Sequence, residues 1–144
     1  MDVVGRWIGL ATMALGGVAV AWMITGPLLL VLALGYGAWR ADAFREPLPR
    51  RRWAAWLLTC VALTAAVLAV GAAFARQQPY TAKGTLPEES AVIGLLLAQV
   101  AATVVLVARS PGARGLAAAA GLLALWVGGV AAFCALMAIR NVWL

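Results

Sequence analysis

The sequence predicts an all-α integral membrane protein: four transmembrane helices in an antiparallel bundle, the first of them long and kinked. Three observations predict it. Only 11% of the 144 residues are charged, 65% are hydrophobic and the mean hydropathy is +0.98, whereas soluble domains carry about 25% charged residues. The charges are also confined, leaving residues 7–39, 53–75, 90–108 and 115–139 with no Asp, Glu, Lys or Arg. A helix needs about 20 apolar residues to cross a hydrocarbon core about 30 Å thick. Finally, Arg40–Arg52 (RADAFREPLPRRR) concentrates Arg40, Arg45, Arg50, Arg51 and Arg52 between two uncharged runs. Such a basic island holds its end of the neighbouring helices on the cytoplasmic side.

The first span, 7–39, would be about 50 Å long as a straight helix, too long for one perpendicular crossing. Proline removes a helix hydrogen bond and crowds the preceding turn, so the predicted kink lies at Gly26-Pro27. A re-entrant hairpin turning at Thr25-Gly26-Pro27 is the competing arrangement. It fits less well, because only twelve uncharged residues follow Pro27 and a turn facing lipid leaves backbone groups unsatisfied. The run exceeds the roughly 7–15 apolar residues of a signal-peptide core and follows an acid at Asp2, so the N-terminus is expected to be retained.

The second span, 53–75, opens with Trp53 and Trp56, which with Trp39 form an aromatic cluster at headgroup level. After the polar connection 76–89, Thr85-Leu86-Pro87-Glu88 reads as a capping box, with Thr85 as N-cap and Glu88 reaching back. The third span is therefore 86–108. Arg109-Ser110-Pro111-Gly112 makes a tight connection with Ser110 as N-cap and Pro111 at the first helical position. The fourth span, 113–139, then folds back as a close hairpin and ends before an interfacial tail, 141–144. No internal repeat or linker divides the chain, which is expected to be one domain over 1–144.

Sidedness follows from the basic residues. With loops 40–52 and 109–114 placed inside, seven basic residues lie there, against Arg6, Arg76, Lys83 and Arg140 outside. Both termini then lie outside a cell (inner) membrane. The re-entrant alternative would move Arg6 inside. A net charge of +6 does not imply nucleic-acid binding here, because the basic residues flank membrane spans and suit anionic lipid headgroups.

Small residues four apart share a helix face and let backbones approach, which drives association in lipid. The candidates for such packing are Gly94, Ala98 and Ala102 in the third span and Ala124, Gly128 and Ala132 in the fourth, within the chain or against partner subunits. Gln99, the only amide in any span, is expected to find an interhelical partner, since a buried amide without one is costly. Cys60 and Cys134 would sit at depths of about 12 and 30 Å from the basic end, too far apart to pair.

Histidine is absent, so no histidine ligation of haem, chlorophyll or metal is available, and no cofactor is expected beyond bound lipid. No acid or base lies inside an uncharged span, as proton relays require, and no phosphate loop or nucleophile motif occurs. The chain is expected not to be an enzyme. It is read as a small accessory subunit that packs against other integral membrane subunits in a respiratory, photosynthetic or transport assembly, surrounded by membrane lipids. A small homo-oligomeric transporter or channel around Gln99 is the alternative. A lipid or quinone binder using the Pro27 kink and the Trp cluster is a weaker one. A Gln99 that meets a helix favours packing, one that faces a watery cavity favours transport, and Trp39 and Trp56 pointing into protein would weaken the binder.

Overall fold

The computed structural model describes residues 3–41, 50–76 and 86–141. These form α1 (Val3–Val20), α2 (Trp22–Ala41), α3 (Arg50–Ala73), α4 (Pro87–Ala108), a single 3-10 turn at Pro111–Ala113 and α5 (Arg114–Arg140). Helices α1, α3, α4 and α5 are long and apolar enough to cross a membrane, and Trp22–Gly37 is a shorter apolar helix. This is the composition of a multi-pass helical membrane protein.

Helix α5 is the centre. Eleven of its residues are buried, against two in α1 and none among residues 22–37 of α2. Alanine and glycine supply most of that buried face, and small side chains are what allow helices to approach in lipid. Among the described glycines, the closest contact with another helix's backbone is at Gly71 of α3, where an added Cβ would lie 2.7 Å from both Cα and Cβ of Ala135. Helices α3, α4 and α5 pack mutually, α1 lies against α3 and α5, and α2 lies chiefly against α5.

The register shows how the first segment runs. Gly17 sits beside Val130, Thr25 meets Trp126 and Gly35 sits beside Leu116. Residue numbers rise along α1–α2 as they fall along α5, so the two helices follow one another antiparallel to α5 and do not fold back as a hairpin. Past Gly35, α2 overshoots the start of α5 by roughly one turn.

The break in this segment is not at Gly26-Pro27. Pro27 lies inside α2, and Ala21 separates the two helices. Proline denies its hydrogen bond to the carbonyl four residues back and crowds the turn before it. The distortion is thus taken up upstream, where a side chain can stabilise it. The Thr25 hydroxyl donates to the carbonyl of Val18 at 2.8 Å. Residues seven apart are about 10.5 Å apart along a straight helix, farther than threonine can reach, so this bond needs the axis to bend toward that face. The same oxygen accepts from Trp126 Nε1 at 3.0 Å, which ties the bend to α5.

The third span also starts one residue later than its capping box implied. Leu86, with φ −83° and ψ 150°, is the N-cap, and its N–H donates to the Glu89 carboxylate at 3.1 Å. Thr85 lies outside the described residues. The reason is Pro87, which forces the preceding residue into extended backbone and suits the first helical position, where no N–H is needed. Glu89, three residues after the true cap, therefore takes the role expected of Glu88. The second span runs over Arg50–Ala73 and so includes the arginines at its start. Ser110 precedes the 3-10 turn without a side-chain cap bond, so α5 proper begins at Arg114. Asn141 closes it in the left-handed region at φ 49°.

One end of the bundle carries Arg51, Arg52, Arg109 and Arg114, with Trp56 and Cys60 packed against Leu106 and Ala117 just inside it. The other end is closed by polar ties. Arg6 donates to the Ala75 carbonyl at 3.2 Å, the Arg76 N–H to that of Ala138 at 3.1 Å, and Arg140 grips the Glu89 carboxylate, with one contact at 2.9 Å.

Candidate functional site at Gln99

Two polar residues of α4, Gln99 and Thr103, face glycines of α5. Gln99 lies over Gly128, where an added Cβ would overlap Oε1 of the amide and be 2.9 Å from its carbon and nitrogen. One turn on, Thr103 lies over Gly121, where an added Cβ would overlap the threonine methyl. Each glycine is a notch for a polar side chain. Gln99 Nε2 donates to the backbone carbonyl of Ala124 at 2.8 Å, and the Thr103 hydroxyl donates to the backbone carbonyl of Gln99 at 3.0 Å. Gln99 is 1% exposed. Its Oε1 is buried against Gly128 and accepts no hydrogen bond from the described residues.

A cavity of about 460 Å³ lies beside this amide. Its walls come from α1, from Leu32 of α2, and from α3 and α5, whereas α4 contributes Gln99 alone. Leu15, Leu57 and Val61 line the cavity and are also exposed, so it opens sideways between α1 and α3. Apart from Gln99 and Thr64 the lining side chains are apolar or aromatic. A groove of about 280 Å³ nearer the basic end is lined by Arg52, Thr59, Arg109 and Ser110, among others.

In the fourth span, Gly128 and Ala132 are buried, and half-buried Ala124 packs against the cluster that contains Trp56. In the third, Ala102 packs against the same cluster, but Gly94 and Ala98 are exposed, and a Cβ on Gly94 would meet nothing within 4 Å. Among the described residues nothing crowds Gly94, and Ala98 lies on the same exposed face. Gly71 and Gly121, which also make close contacts, escaped a search for small residues four apart, because their partners are on other helices. The seven-residue interval from Gly121 to Gly128 was the signal available.

Trp56 is 9% exposed and packs with Cys60, Leu106 and Ala117, so it points into protein. Trp53 meets it edge to face, with centroids 6.2 Å apart. Arg51 and Arg52 are exposed in the first turn of α3, which Arg50 opens. Arg45 lies outside the described residues, as do the side chains of Trp39, Arg40 and Arg50. Cys60 and Cys134 are free and belong to separate buried clusters. No group of three or more His, Cys, Asp or Glu gathers as a metal site among the described residues.

Comparisons of the chain with protein-family models, with curated proteins and with solved structures found no match in any of the three.

Proposed function

We propose that the chain is a non-catalytic accessory subunit of a larger membrane complex, contributing a packed helical bundle to which neighbouring subunits attach. The observation that carries this reading is the Gln99 amide, which donates to the Ala124 carbonyl of α5 and so joins helices. Glu89 is likewise engaged by Arg140 and by the Leu86 N–H. The exposed, uncrowded face at Gly94 and Ala98 is compatible with a partner helix, because small residues let another backbone come close. The basic end faces the cytoplasm of a cell membrane in this reading, by the excess of arginine there. A transport path around Gln99 has less support, since the adjoining cavity is lined almost wholly by apolar side chains.

Purification of the tagged chain from its native membrane in mild detergent, with mass spectrometry of what co-migrates on a native gel, tests the proposal. A stoichiometric band shared with larger subunits is the expected result. A band containing only this chain, at a small multiple of 14.9 kDa, would overturn it and favour a homo-oligomeric transporter or channel.

A further inference from the structure

We propose that the lateral cavity lodges an acyl chain of a phospholipid from the leaflet at the basic end of the bundle. The proposal does not depend on the accessory role. Its ground is the shape of the cavity. Helix α3 lines it from Trp56 to Leu68 and α5 from Ala120 to Ala131. These stretches lie side by side, because both helices start at the basic end and Gly71 of α3 sits against Ala135 of α5. At about 1.5 Å per residue the cavity is therefore about 17 Å long. Its volume of about 460 Å³, spread over that length, gives a mean cross-section of about 27 Å².

The cross-section decides between occupants. A helix is about 10–12 Å across with its side chains, or roughly 80–110 Å² in section, so no partner helix enters. A hydrocarbon chain, whose carbons stand about 3.5–4.0 Å from their neighbours, is only about 4–5 Å wide and fits lengthwise. The walls suit it, being apolar or aromatic apart from Gln99 and Thr64. An apolar cavity stays dry, and unfilled walls forgo dispersion contacts that a chain would supply. Depth and opening name the source of the chain. A length of about 17 Å is close to one leaflet, half of a hydrocarbon core about 30 Å thick. The cavity opens between α1 and α3 past exposed Leu15, Leu57 and Val61. Leu57 and Val61 lie about 8 and 14 Å deeper than Arg52 along α3, at the level of the chains in the basic-end leaflet. A phospholipid there keeps its headgroup beside the arginines and turns a chain sideways into the bundle.

The test uses full-length protein in phosphatidylcholine nanodiscs doped with a phosphatidylcholine that carries a diazirine at the end of one acyl chain. After photolysis, labelled residues are mapped by mass spectrometry. Leu68 and Ala131, buried yet part of the lining, are expected to be labelled, alongside exposed Leu29 and Leu30 of α2. Ala138, buried outside the lining, should stay unlabelled. Ala11→Phe and Ala65→Phe each place a ring in the cavity, from α1 and from α3. Either should abolish labelling at Leu68 and Ala131 and leave Leu29 and Leu30 labelled as before. Labelling confined to exposed residues in the wild type, or spread equally to Ala138, would overturn the proposal. So would labelling of Leu68 and Ala131 that persists in a folded cavity-filling variant. Should neither variant fold, the wild-type pattern at Leu68, Ala131 and Ala138 decides.

Discussion

Gly128→Ala is the sharpest probe of the α4–α5 seam. The new methyl would overlap Oε1 of Gln99 and lie 2.9 Å from the carbon and nitrogen of its amide, closer than carbon can approach without movement. The amide, not the α5 backbone, is the part able to move, and moving it breaks the 2.8 Å bond to the Ala124 carbonyl. Losing an interhelical hydrogen bond in a membrane protein costs about 0.6–2 kcal/mol. Overpacking adds about 1–3 kcal/mol, and replacing a helical glycine by alanine returns about 1 kcal/mol. The variant should therefore be less stable by about 2 kcal/mol, read as a shift in reversible unfolding by SDS in mixed micelles, followed by circular dichroism. The double variant Gly128→Ala/Gln99→Ala removes both the methyl's obstacle and the amide. It should be more stable than the sum of the two single losses by about 1 kcal/mol or more. A neutral Gly128→Ala, or strictly additive losses, would refute the account of Gly128 as the notch that seats Gln99.

Three further substitutions test other joints of the bundle. Gly71→Ala places a methyl 2.7 Å from Ala135 Cα; backbone cannot swing aside, so a loss of about 3 kcal/mol is expected in the same unfolding assay, with no rescue by trimming Gln99. Thr25→Val keeps the shape but removes the oxygen shared by Val18 and Trp126; stability should fall by about 1–2 kcal/mol, and hydrogen exchange should rise around residues 18–25 while staying unchanged in α4. Glu89→Ala deletes both the ion pair with Arg140 and the acceptor for the Leu86 N–H; faster exchange at residues 86–90 and at the C-terminal turn of α5 is expected, whereas Glu88→Ala should leave the Leu86 amide unaffected.

What could be read in the sequence divides along a physical line. The count of spanning helices, their antiparallel order and the sharing of one end by Arg52, Arg109 and Arg114 depend on the uncharged runs, and hydropathy is a property of the chain alone. Local rules carried some distance further. A proline was expected to disturb the first segment, and a glutamate to cap the third. The place of each effect was set by neighbours: Ala21 takes the break because Thr25 can bridge Val18 and Trp126, and Glu89 replaces Glu88 because Pro87 fixes where the helix begins.

The site was legible only in part, because a single amide in an apolar span announces that it needs a partner without naming one. Ala124 and Gly128 answer Gln99 from another helix, across a register that no spacing within α4 encodes. The cavity is less legible still. It exists because α2, after the break, leans on α5 and contributes only Leu32 to the wall. A residue pattern records which side chains are present, whereas a void records where none of them reaches. Gln99 is informative for this reason: its Nε2 is bonded to Ala124 across the seam, whereas Oε1 is seated against Gly128 and has no donor among the described residues.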